Sequence, residues 1–195
     1  MLSRLLCLVL AFTCLRAVAV SQAPEDANLK YFRDLAETRN YTLGRPVSPK
    51  ITPDGNSVIF LRAGARSPVL RLYELDLATG RERELLTPEQ LLGNAEEHLS
   101  VEEKARRERQ RQSLKGFTSF QISKDGRELL VPLSGKLYLV QRSSLTVTPL
   151  PGQDWIDPRF SPDGHFVAGV RNRELHVIDL ANLSSRAVTL GASGK

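Results

Sequence analysis

A four-residue turn, (Ser/Thr)-x-Asp-Gly, occurs three times in this chain, each time between runs of strand-forming residues. The copies are Thr52-Pro53-Asp54-Gly55, Ser123-Lys124-Asp125-Gly126 and Ser161-Pro162-Asp163-Gly164. Each is followed by an apolar run: Val58-Ile59-Phe60-Leu61, Leu129-Leu130-Val131 and Phe166-Val167-Ala168-Gly169-Val170. A second alternating run then appears at Arg71 to Leu77, Lys136 to Val140 and Glu174 to Leu180. Glycine tolerates positive φ and aspartate hydrogen-bonds its own following backbone, so Asp-Gly is a strong short hairpin signal. Pro53 and Pro162 preset φ for the first central position of the turn. The flanking runs have the β-branched and aromatic content of strands.

A unit of about four short strands recurring near every 40 residues is the signature of a β-propeller blade. The 38 residues from Asp125 to Asp163 fit that period. The 71 from Asp54 to Asp125 do not, unless about 33 residues are inserted into the first unit. From Thr87 to Ser113 the strand pattern does give way to a helical one. Ser100 and Glu103 stand three apart as a capping box requires. Glu102 to Arg111 reads EEKARRERQR, eight of its ten residues charged, acids leading and bases trailing as the helix dipole prefers. A second helical stretch is expected from Pro24 to Glu37, and strands are expected to resume at Phe117.

The N-terminus reads as an export signal. Met1 to Arg4 is a short basic segment, Leu5 to Leu15 an apolar run of eleven, and Ala17-Val18-Ala19 a small-x-small cleavage pattern. Eleven residues are too few to cross a bilayer, which takes about 20. Both cysteines, Cys7 and Cys14, fall within this leader. The mature chain then has no disulfide framework, zinc knuckle or cysteine nucleophile. Of 27 basic residues, two lie in the leader, leaving 25 against 22 acids. Aromatics make up 6%. Neither figure favours nucleic acid as a partner, because binders concentrate charge in one stripe and stack bases on rings.

The expected organisation is a signal peptide over 1–19, a helical segment over 20–46, and a partial propeller over 47–195. Its blades lie near 47–86, 117–150 and 155–190, with a helical insertion at 87–113. Propellers close with about four to eight blades. The fold class is thus all-β, about three blades of a larger propeller, and the natural protein is expected to continue beyond Lys195.

The leader, the Asp-Gly blades and Leu99-Ser100 followed by Glu102 to Arg111 together resemble one family. They look like the N-terminal propeller of the dipeptidyl peptidase IV branch of the prolyl oligopeptidase family, in its bacterial form. The resemblance covers roughly Tyr31 to Leu190. It implies an eight-bladed ring capping a C-terminal α/β-hydrolase domain whose Ser, Asp and His triad releases dipeptides with proline or alanine second. No cofactor is implied. The implied partners are the peptide substrate and the hydrolase domain of the same chain, a homodimer is left open, and the implied location is periplasmic or extracellular. A glutamate pair that holds the substrate amine is expected beyond Lys195, as is the triad.

On its residues alone, the charged helix is a solvated surface helix laced by pairs such as Glu102 with Arg106 and Glu103 with Arg107. The resemblance instead implies that one propeller arginine contacts substrate backbone, which makes Arg106, Arg107 and Arg109 the candidate substrate-binding residues. A guanidinium suits that task by presenting several fixed donors to a carbonyl or carboxylate. No catalytic or metal-ligating residue is assigned. Gly191-Ala-Ser193-Gly-Lys195 lacks the last glycine of a nucleophile elbow. His98, His165 and His176 have no ligand spacing and are expected on surfaces or turns. Asp54, Asp125 and Asp163 are read as turn formers, and Trp155 as packing between blades. Asn40-Tyr-Thr42 and Asn182-Leu-Ser184 fit the glycosylation pattern, without functional meaning in a bacterial protein. The rival reading is a non-catalytic exported propeller that acts as a binding scaffold.

Overall fold

A computed structural model describes residues 27–93, 95–99, 101–109, 111 and 113–191. The expected leader, the start of the first helix at Pro24, the Ser100 cap, the Glu102 side chain and Ser193 lie outside the described residues.

Helix α1 spans Ala27–Glu37. The first sheet contains β1 (Val47–Ile51), β2 (Ser57–Ala63), β3 (Val69–Asp76) and β4 (Glu82–Leu86), each antiparallel to the next. Helices α2 (Pro88–Leu92) and α3 (Val101–Arg109) follow. The chain then returns to the first sheet as β5 (Lys115–Gly116), pairing parallel with β3. That short strand, ahead of Phe117, has no separate signal in the sequence. The second sheet runs β6 (Gln121–Ile122), β7 (Glu128–Leu133), β8 (Lys136–Gln141) and β9 (Val147–Pro149). The third runs β10 (Ile156–Phe160), β11 (Phe166–Arg171), β12 (Glu174–Asp179) and β13 (Ser184–Ala187). Three antiparallel meanders in series, stacked face to face, are the blades of a β-propeller.

The stacking follows from the period-2 alternation of strands, with both faces of the middle sheet apolar. Leu129, Val131, Leu133, Tyr138 and Val140 pack with Ile59, Leu61, Ala63, Leu70 and Leu72 of the first sheet. The intervening residues Leu130, Leu137 and Leu139 pack with Trp155, Val167 and Ile178 of the third. Near-continuous apolar runs such as Leu129-Leu130-Val131 are what a sheet covered on both faces requires.

The repeated turn is a small hydrogen-bonded device. Gly55 N donates to Thr52 O at 2.8 Å, while the Thr52 hydroxyl donates to Asp54 at 2.5 Å and accepts from Ser57 N at 3.1 Å. Asp54 also accepts from Asn56 N at 3.1 Å. Ser123 with Asp125, and Ser161 with Asp163, repeat each of these bonds. Asp-Gly thus ends a four-residue turn closed by the hydroxyl residue, as the repeat reads in the sequence. The two-residue hairpins lie elsewhere. Ser134-Gly135 and Asn172-Arg173, all at positive φ, join β7 to β8 and β11 to β12.

Candidate functional site

Helix α3 has few means of docking by hydrophobic burial. Val101 is 81% exposed, and Ala105 is the helix's one other apolar residue. Arg107 holds it instead, and at 7% exposure it is no solvated side chain. Its Nε donates to Glu103 Oε1 at 2.9 Å, the i,i+4 pair expected from the sequence, and its Nη2 donates to Glu97 Oε1 at 2.5 Å. The other oxygen of Glu97 accepts from Gly116 N at 2.9 Å, which ties the helix to β5. Gly116 has φ +79°, and a Cβ there would sit 2.5 Å from Leu70 O, so only glycine allows this approach.

Arg106 turns the other way. Its Nη2 donates to Glu103 Oε1 at 2.9 Å and to Thr118 Oγ1 at 3.4 Å. Its Nε is buried and has no hydrogen-bond partner among the described residues. Consecutive helical residues point about 100° apart, which explains why neighbouring arginines meet different surroundings. Arg109 lies a turn further along and is exposed.

A cavity of about 400 Å³ lies between α3, the β7–β8 hairpin and the residues that lead into β10. All three candidate arginines line it, as do Lys136, Trp155 and Asp157. Its floor is apolar, with Leu133, Leu137 and Pro158 beside the indole. Glu103, Asp154 and Asp157 set carboxylates against the cations, so the cavity offers both signs over an apolar base. Guanidinium and hydroxyl donors above an apolar floor suit a peptide segment, which presents carbonyl acceptors and aliphatic side chains.

The sequence singled out further residues, and the structure disperses them. Asp54, Asp125 and Asp163 form the turns described above, whose hydroxyl and backbone donors hold each carboxyl below its ordinary range. His98 and His165 are exposed. His176 differs from expectation: it lies mid-strand on β12, half-buried and edge-on to the Trp155 ring at 6.0 Å. Trp155 is buried between the second and third sheets. Asn182 shapes its own turn, accepting from Ser184 N at 2.8 Å and donating to Asp179.

Two carboxylate clusters have no forewarning in the sequence. Glu97 sits in an irregular segment where nothing local marks it as a partner of Arg107. Glu74, on β3, is 5% exposed, yet it accepts from Arg83 Nη2 at 2.6 Å and from Arg142 Nε at 2.9 Å. Arg142 also donates to Ser57 Oγ at 2.9 Å and to Gly126 O at 3.3 Å. Burial pushes the Glu74 carboxyl up, but the hydrogen bonds from Arg142, Arg83 and Ser57 outweigh it and hold the group below its ordinary value. This clasp joins the first two sheets across a gap of 68 positions in sequence. A Thr-x-x-Gln signal did stand in the sequence unused. Thr87 caps α2, with Thr87 N donating to Gln90 Oε1 at 2.8 Å.

Residues 120–195 match the family model of the dipeptidyl peptidase IV (DPP IV) N-terminal region. The matched stretch takes in the second and third sheets. The match begins after α3, so it falls on the Asp-Gly blades and not on the charged helix that carried the resemblance. TolB from Acinetobacter baumannii is similar at 20% identity over 75% of this chain and 33% of its own, with a TM-score of 0.49. Porphyromonas gingivalis dipeptidyl peptidase 4 is similar at 19% identity over 80% of this chain and 21% of its own, with a TM-score of 0.47. The tricorn protease is similar at 14% identity over 74% of this chain and 13% of its own, also at a TM-score of 0.47. The chain therefore spans a third or less of the length of these three proteins.

Proposed function

We propose that this chain is the N-terminal propeller portion of an exported DPP IV-like serine peptidase, one that releases dipeptides with proline or alanine second from peptide N-termini. The observation that carries this reading is the match of residues 120–195 to the DPP IV N-terminal region. The catalytic domain lies outside this chain, and the propeller admits and orients the peptide by holding it close to productive geometry. Export is supported by the leader pattern at 1–19.

Among the candidate arginines, the geometry favours Arg106. Arg107 is already engaged by two carboxylates. Arg106 lines the cavity with a side chain 39% exposed, against 9% for Arg107. A peptide carbonyl or carboxylate oxygen would accept from the exposed part of its guanidinium. Arg109, at the exposed end of the helix, is the second choice.

The test uses alanine variants of the full-length peptidase, assayed with an X-Pro chromogenic substrate. Arg106→Ala should lower kcat/KM ten- to a hundredfold, about 1.4–2.7 kcal/mol of lost transition-state binding, while the melting temperature holds. Wild-type kcat/KM in both Arg106→Ala and Arg109→Ala would remove the helix from the substrate site. A gene that ends after further blades, with no Gly-x-Ser-x-Gly, would select the binding scaffold instead.

A further inference from the structure

We propose that Arg107 is a positioning residue. With Glu97 and Glu103 it docks α3 on the first sheet and fixes the carboxylate that steadies Arg106 at the cavity. This rests on the reading of Arg106 as the substrate-facing group.

The contacts run unbroken from cavity to sheet. Glu103 Oε1 accepts from Arg106 Nη2 and from Arg107 Nε, each at 2.9 Å, so one carboxylate oxygen serves both arginines. Arg107 Nη2 reaches Glu97 at 2.5 Å, and Glu97 reaches Gly116 N at 2.9 Å. Gly116 pairs with Leu70 of β3, a fully packed residue of the first core. Apolar packing cannot substitute for this chain of bonds, because α3 buries so little hydrocarbon. Were Arg107 removed, Glu97 and Glu103 would lose the cation that bridges them, while Glu103 kept Arg106. Two carboxylates that shared one cation repel once it is gone, and the helix would lose its seat. Arg106 would keep its own chemistry but lose its aim. A long side chain freed to sample many rotamers pays to be reordered at each binding event.

The experiment is a double-mutant cycle in the full-length peptidase, with hydrogen exchange of residues 101–109 read alongside kinetics. Arg107→Ala should speed exchange in α3 at least tenfold and lower kcat/KM to about the level of Arg106→Ala. The Arg106→Ala/Arg107→Ala double variant should then be little worse than either single one, because both remove the same function. Arg107→Lys keeps the charge without the fork and should recover part of kcat/KM. Glu97→Gln gives a milder second break that leaves Arg107 in place, should the alanine variant fold poorly. Multiplying effects in the double variant, or unchanged exchange with unchanged kcat/KM in both Arg107→Ala and Glu97→Gln, would overturn the positioning role. A kinetically silent Arg106→Ala with fast exchange in Arg107→Ala would sink the substrate role of Arg106 and leave only the anchor.

Discussion

At the scale of single residues, the hydroxyl of the repeated turn matters more than its Asp-Gly pair suggests. Thr52 and Ser123 are buried at 2% and 3% exposure, and each hydroxyl bridges the aspartate to a strand amide five residues on. Removing it strands that amide with only part of its bonding, at a typical cost of 1–3 kcal/mol for a buried donor. Thr52→Val and Ser123→Ala should each lower stability by about 1–2 kcal/mol in urea unfolding. Ser161 makes the same bonds less deeply buried, so Ser161→Ala should cost visibly less. Equal losses at all three positions would show that burial does not set the cost. The turn was plain in the sequence, because residue type and spacing decide it locally. Burial depth was not, because it depends on which blade lies beyond.

At the scale of elements, charge joins pieces that apolar packing leaves loose. The Glu74 clasp couples the first sheet to the second, and removing one partner of a buried pair typically costs about 3–5 kcal/mol. Arg142→Ala should fall near the lower end, about 3 kcal/mol, because Arg83 still holds the other carboxylate oxygen. The pH dependence has a definite sign. The folded-state pKa of Glu74 lies below its unfolded value, so its contribution is present above the ordinary carboxylate value of 4.5 and is lost as pH falls through the lower folded value. The difference in melting temperature between wild type and Glu74→Gln should therefore be largest above pH 5 and shrink below pH 4. A difference that grows on acidification would reverse the assignment. Helix α1 shows the same principle: Arg66 pairs with Asp34 at 2.5 Å and with Glu37, while Leu29 and Phe32 face outward.

At the scale of the whole molecule, the third sheet is apolar on both faces but, among the described residues, covered on one. Val167 and Ile178 face the second sheet. Phe166 and Leu175, which alternate with them along β11 and β12, turn to the other face at 38% and 39% exposure. Contiguous exposed apolar surface drives association. The 195-residue chain expressed by itself should therefore self-associate with rising concentration in light scattering. Phe166→Ser with Leu175→Ser should raise the monomer fraction without loss of the first two sheets. A monodisperse wild-type chain with a cooperative melt would count against an uncovered face.

The sequence by itself determined the blades. Turn chemistry repeats at fixed offsets, and strands apolar on both faces can settle only between other sheets; both properties are local and periodic. Only the tertiary structure decided the roles of the charged residues. In the run from Glu102 to Arg111 the arginines are nearly equivalent by composition, and helical phase separates them only once the helix is docked. That docking depends on Glu97 and Gly116, as the burial of Glu74 depends on Arg142, 68 positions away. An ion pair between distant residues leaves no periodic trace in the chain. It forms because folding brings two charges together where water no longer screens them.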